Sequence, residues 1–202
     1  MRFAFILLSL VVSFGMVAAL NEELVKKLEN AIQVNGKRIK EIFDEWQVDK
    51  YPNFLNTGSM HKSSLEVMKW KYMKKVLHAF TEKKNEKFVI SFTGSSVTAG
   101  HDSMYNLTTT PNVQRLMQEP LAAAGLEFES RNVALGNNPC IPYDVCVKFF
   151  VGLDADVAVW EQNYFCSGAP LEIFIRQAMT IPTQPIVAFS SSSTGKNYMC
   201  MV

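Results

Sequence analysis

The residues that could carry chemistry begin at Gly94-Ser95-Ser96-Val97-Thr98-Ala99-Gly100, which follows the apolar run Phe88, Val89, Ile90, Phe92. That run has the β-branched and aromatic make-up of a buried parallel strand, and the small residues after it suit a tight turn. Such a turn presents a serine hydroxyl at the rim of a sheet. A helix expected over Thr98 to Tyr105 would place free backbone N–H groups and a positive dipole end beside Ser96, which favours an anion or an oxyanion there. Asn106-Leu107-Thr108 is an N-glycosylation acceptor just beyond this turn. The four cysteines, Cys140, Cys146, Cys166 and Cys200, allow two disulfides in any of three pairings. Cys140 to Cys146 is the easiest local loop to close and is the candidate bridge, with the pairing left open by the sequence. No Cys-x-x-Cys or Cys/His spacing points to a metal, and no cofactor is expected.

The elements that must hold these residues fall into two parts. Leu24, Leu28, Ile32, Ile39, Ile42, Phe43 and Trp46 recur at helical spacing behind Asn21, although Gly36 weakens the middle. A second helix is expected from the capping box Ser63-Ser64-Leu65-Glu66 to about Lys84, with Leu65, Met68, Tyr72, Met73, Val76 and Phe80 on one face. Trp46 and Trp70 read as core. From Phe88 onward strand-like and helix-like stretches alternate, the mark of a parallel sheet with crossover helices. Strands are expected at Phe88–Thr93, Leu126–Ala134, Ala155–Glu161 and Pro185–Ser190, with helices near Val113–Ala124 and Leu171–Thr180. In such sheets catalytic residues gather at the carboxyl ends of the strands.

This arrangement resembles the SGNH, or GDSL-type, hydrolases, whose first block reads Gly-Asp-Ser-x-Thr-x-Gly with the serine as nucleophile. Here Gly94, Ser96, Thr98 and Gly100 stand in register, while the aspartate is replaced by Ser95. The resemblance implies Ser96 as nucleophile and a flavodoxin-like three-layer α/β sheet. It also implies Gly136, after the second strand, as an oxyanion-hole donor through its backbone N–H. A residue without a side chain lets substrate approach that N–H, though Gly136-Asn137-Asn138-Pro139 is also a good turn. The third block, Gly-x-Asn-Asp in the family, reads Trp160-Glu161-Gln162-Asn163-Tyr164-Phe165 here. Asn163 is the amide that could serve the oxyanion hole, two residues earlier than the family spacing. The fourth block, Asp-x-x-His, supplies the family's base and is absent. Gly58, Lys75 and Thr98 stand three residues before His61, His78 and His101, and His101 is expected at the surface.

Length and composition set the context. With 202 residues, 48% hydrophobic and 19% charged, the chain has the make-up of one globular unit. Arg2, the apolar run from Phe3 and Val17-Ala18-Ala19 read as a signal peptide over 1–19, which makes the protein secreted with no stable membrane insertion after cleavage. A helical segment over 20–86 and a hydrolase-like domain over 87–202 follow. Residues 20–87 hold 14 Lys/Arg against 10 Asp/Glu. The lysines of the second helix read as a solvated face rather than a nucleic-acid surface, since opposite charges are interspersed and the net charge is +1.

The function expected is a secreted serine ester hydrolase acting on an acylated small molecule, lipid or glycan. Without its base the chain as given is expected to be inactive. The alternatives are a non-catalytic relative that binds a glycan or acylated ligand in the same cleft, and an O-acyltransferase. Four parallel strands would leave one sheet edge open, so the domain is expected to be incomplete, with a fifth strand and Asp-x-x-His beyond Val202.

Overall fold

The computed structural model describes residues 22–45, 47, 62–82, 85–101, 103–137, 140–162, 166–191 and 198–201. Two long helices come first, α1 (Glu22–Glu45) and α2 (Lys62–Glu82). Strand β1 (Glu86–Thr93) runs into the one-turn helix α3 (Ser96–Ala99), and a 3-10 turn (Tyr105–Leu107) leads to α4 (Thr109–Ala123). Then follow β2 (Leu126–Asn132), α5 (Val147–Val151), β3 (Val157–Trp160), α6 (Ala169–Ala178), β4 (Ile186–Ser191) and β5 (Tyr198–Met201). The sheet order is β2-β1-β3-β4-β5. The first four strands are parallel, with Phe92 opposite Asn132 and Val159, and Val159 opposite Ala188.

Strand alternation sorts the core into two layers, as expected where both faces of a parallel sheet are covered. Phe88, Phe92, Val157, Val159, Ile186 and Ala188 point to one face, under Val76 of α2, Leu121 of α4 and Ala31 of α1. Val89, Ala158, Trp160 and Val187 point to the other, under Val147 and Val151 of α5 and Phe174 and Ala178 of α6. The result is the expected three-layer α/β sheet. Two hydroxyls of β1 that face the interior are paired with backbone, Ser91 Oγ donating to the Val151 carbonyl at 2.7 Å and Thr93 Oγ1 to the Val159 carbonyl at 2.6 Å.

The helical segment belongs to the same core. Lys75 Nζ reaches Asp156 Oδ2 at 2.7 Å and the Lys87 carbonyl, while Lys71 donates to the carbonyls of Thr183 and Gln184. Asn35 Nδ2 donates to the Pro120 carbonyl at 3.1 Å, tying α1 to α4. Gly36 does not interrupt α1; a Cβ there would meet open space.

Four expectations are corrected. The sheet does not stop at β4, because the tail turns back as β5 and pairs antiparallel with it, Phe189 opposite Cys200. The helix expected over Thr98–Tyr105 is one turn that starts at Ser96 and ends where Gly100 turns left-handed at φ 93°. A Cβ on Gly100 would stand 2.3 Å from Thr108 Cγ2, so the chain must bend away. Trp70 is 55% exposed rather than core, because α2 turns Tyr72, Val76 and Phe80 to the sheet. The bridge is Cys140–Cys166, with Cα atoms 5.7 Å apart, not Cys140–Cys146. The turn between them, closed by Cys146 N–H to the Pro142 carbonyl at 2.8 Å, delivers Cys146 to the exposed start of α5. Trp46 and the leader over 1–19 lie outside the described residues, and no helix among the described residues is long and apolar enough to cross a membrane.

Candidate active site

At the carboxyl end of β1 the backbone turns sharply through Gly94 and Ser95 into α3. Ser95 is the N-cap, with extended backbone (φ −85°, ψ −167°) and a side chain that accepts from the Val97 N–H at 3.3 Å. Ser96 is therefore the first helical residue, half-buried at the rim of the sheet. Among the described residues its backbone N–H finds no acceptor, the normal state of a helix start.

The chain after β2 is stitched to the same turn. Val133 N–H donates to the Phe92 carbonyl at 3.0 Å and Leu135 N–H to the Gly94 carbonyl at 3.3 Å, extending the pairing past the end of the strand. Asn132 bridges from below, its Nδ2 donating to the Thr98 carbonyl at 3.1 Å and its Oδ1 accepting from Ala134 N–H at 3.1 Å. Tyr143 fixes the loop from the other side by donating to the Val133 carbonyl, and burial pushes its phenol pKa up. These ties set Gly136 against Ser96. A Cβ built on Gly136 would lie 3.7 Å from Ser96 Cβ and 3.9 Å from its Cα. The Gly136 N–H, like that of Ser96, has no acceptor among the described residues. Two neighbouring residues that each keep a backbone donor without an acceptor form an arrangement that can receive an oxyanion if both donors turn to one point.

The Cys140–Cys166 bridge joins the Gly136 loop to the loop after β3, where Cys166 is fully buried. Asn163 falls between the two and lies outside the described residues. Its neighbour Gln162 is fully buried, and neither amide atom has a hydrogen-bond partner among the described residues. Asn106 is exposed in the 3-10 turn Tyr105–Leu107.

The histidines are placed as follows. His78, on α2, has Nδ1 3.7 Å from Glu86 Oε1. His101 has an exposed side chain, while its backbone N–H donates to the Ser96 carbonyl at 2.8 Å. His61 lies outside the described residues.

One residue of the site was not found by reading the sequence. Glu161, the first residue after β3, sends Oε2 into the turn, where it accepts from Ser95 N–H at 2.9 Å, Ser95 Oγ at 2.8 Å and Thr98 Oγ1 at 3.2 Å. The signal was present in the letters. A carboxylate is missing at position 95, and another stands at the end of the neighbouring strand.

Known proteins offer limited company. No family model matches the chain, and no curated protein does. Among solved structures it is similar to a two-domain esterase (CEX) active on acetylated mannans, with 21% identity and a TM-score of 0.44 over 59% of this chain and 33% of that one. The same esterase co-crystallized with mannopentaose aligns at 19% identity and a TM-score of 0.46, over 64% of this chain and 41% of that one. The chain thus spans well under half the length of these two structures.

Proposed function

We propose that this chain carries the acyl-transfer site of a serine ester hydrolase of the SGNH kind. The observation that carries the reading is the apposition of Ser96 and Gly136 at the carboxyl end of a parallel sheet, each with a backbone N–H that has no acceptor among the described residues. In the proposed reaction Ser96 Oγ attacks the ester carbonyl and its proton passes to a base. The Oγ–C bond forms as the carbonyl π pair moves onto oxygen, where the two N–H groups receive it. The alkoxide leaves with a proton, and water then cleaves the acyl-serine by the reverse roles. Asn163 is proposed as a third donor.

The exposed Asn106 and the Cys140–Cys166 bridge support a secretory address, since disulfides persist in oxidising compartments. An acylated glycan, lipid or small ester is the proposed substrate class.

The test supplies the base from outside. Hydrolysis of p-nitrophenyl acetate is followed for wild type and Ser96→Ala, with and without added imidazole, which can take the serine proton in trans. The expected result is a background rate without imidazole and, with it, a wild-type rate above that of imidazole alone that Ser96→Ala lacks. Equal rates for the two proteins in imidazole would overturn the hydrolase and leave a binding protein.

A further inference from the structure

We propose that Glu161 is the positioning residue of the Ser96 turn, a carboxylate supplied from the end of β3 that orients α3 and leaves the Ser96 N–H free for substrate. The inference rests on the ester-hydrolase reading for its kinetic consequence, though not for its structural one. Three donors converge on the single atom Glu161 Oε2, namely Ser95 N–H, Ser95 Oγ–H and Thr98 Oγ1–H, at 2.9, 2.8 and 3.2 Å. Ser95 and Thr98 are both buried. Hydrogen bonds to an ionised acceptor are about twice as strong as neutral ones, so this atom governs the turn.

The contacts also settle how each donor is used. Because Ser95 Oγ gives its proton to Glu161, its lone pairs face the Val97 N–H, which it accepts at 3.3 Å as the helix cap. Thr98 lies one turn along α3, so the carboxylate grips the helix at two points and fixes its direction. With the Ser95 N–H taken by Glu161 and the Val97 N–H by Ser95, the Ser96 N–H between them has no acceptor among the described residues.

Gly94 is part of the same device. A Cβ there would stand 2.8 Å from Glu161 Oε2 and 2.7 Å from Thr98 Oγ1, closer than real Cβ atoms come. The glycine makes room for the carboxylate. Glu161 is held at the base of its side chain as well, its own N–H donating to the Thr93 carbonyl at 3.4 Å.

The experiment moves the carboxylate. Glu161→Gln keeps the shape and removes the charge, Ser95→Asp adds a charge at the neighbouring position, and the double variant Ser95→Asp/Glu161→Gln has one carboxylate again. In imidazole-assisted turnover, Glu161→Gln is expected to lose on the order of 100-fold in kcat, the effect of about 1 Å of misplacement. Ser95→Asp alone is expected to lose activity too, because two carboxylates then share one turn. The double variant is expected to recover to within about 10-fold of wild type, a rescue that lost packing would not give.

Hydrogen–deuterium exchange of the Gly94–Gly100 segment reads the same cycle without any reaction. It should speed up in Glu161→Gln and slow again in the double variant. A wild type without Ser96-dependent turnover would defeat the hydrolase reading, and the exchange data would still decide the role of Glu161. Exchange in Glu161→Gln equal to wild type, or a double variant no better than Glu161→Gln, would overturn the proposal.

Discussion

Strand β3 carries a carboxylate at each end, and the two are held in opposite ways. Asp156, just before the strand, accepts from Val89 N–H at 2.9 Å and faces the Lys75 ammonium at 2.7 Å. Glu161, just after it, accepts from one N–H and two hydroxyls of the Ser96 turn. Both tie β3 to β1, one at the amino end of the sheet and one at the carboxyl end. At the amino end the partner is a cation on α2, so the contact fastens a helix layer to the sheet. At the carboxyl end the three donors to Glu161 Oε2 belong to a single turn, so the contact shapes a loop. A charged pair between elements serves assembly, whereas a carboxylate that gathers several donors of one turn fixes local geometry.

The sharpest way to break the upper end is Gly94→Ala. The new Cβ would collide with Glu161 Oε2 and with Thr98 Oγ1 and Cβ, all within 2.8 Å. The neighbours cannot yield without releasing the turn, since both side chains are tied to each other and Thr98 is buried. Ser96-dependent turnover is expected to fall to the level of Ser96→Ala, measured with p-nitrophenyl acetate and imidazole, while far-ultraviolet circular dichroism reports an intact sheet. Gly136→Ala is the informative contrast within the same experiment. Its Cβ finds ordinary contact distances of 3.7 and 3.9 Å to Ser96 Cβ and Cα, so it fits the fold, and Ser96-dependent turnover is expected to fall less than in Gly94→Ala.

At the lower end the corresponding break is Lys75→Met, which keeps length and apolar stem and removes the charge. Asp156 is 4% exposed, so the substitution removes its ion-pair partner and leaves a buried carboxylate with the Val89 N–H and only the more distant charge of Lys71. Removing one partner of a buried pair costs about 3 kcal/mol, and removing both costs less. Urea denaturation is therefore expected to place Lys75→Met about 3 kcal/mol below wild type, with Lys75→Met/Asp156→Asn recovering part of the loss. Turnover per folded molecule should be unchanged, because nothing at the upper end depends on this pair. A loss of turnover beyond the folded fraction would break the separation of the two ends.

Reading the letters went furthest where the signal is local. The apolar run Phe88–Phe92 and the glycines and serines after it carry their own geometry, so β1 and the turn that holds Ser96 are legible within a residue or two, while Gly136 is implied by the family resemblance alone. Contacts between distant segments were not legible. Glu161 looked like a mismatch in the third block, because the residues it grips are more than sixty positions earlier. Cys140 was paired with the nearest cysteine, but a tight turn through Pro142 carries Cys146 away while the chain after β3 brings Cys166 in. Trp70 was assigned to the core on its residue type, although the face of α2 that meets the sheet is set by Tyr72, Val76 and Phe80. The end of the sheet was misjudged because β5 pairs through backbone, which four residues after a polar stretch do not announce.

The smallest expected effect, and the one that isolates the lower end best, is the pH dependence of Asp156. Burial raises its carboxyl above the ordinary value of 3.8, with the Lys75 and Val89 hydrogen bonds opposing the rise. The folded chain therefore holds this proton to a higher pH than the unfolded chain does. Below 3.8 both states are protonated and the site adds no pH-dependent term. As pH climbs from that value through the raised one, the folded state ionises late, and stability at this site declines and stays lower above. Asp154 and Glu129 behave oppositely, since hydrogen bonds from Arg131 lower both, so their contribution is lost as the solution is acidified. A bulk melting curve would mix the two signs. The difference between wild type and Asp156→Asn removes the shared part, and it should move in favour of wild type on going from about pH 7 to about pH 4 in urea denaturation. Movement the other way would mean that Lys75 outweighs burial, which would make the lower carboxylate a net source of stability in its charged form and weaken the contrast drawn with Glu161.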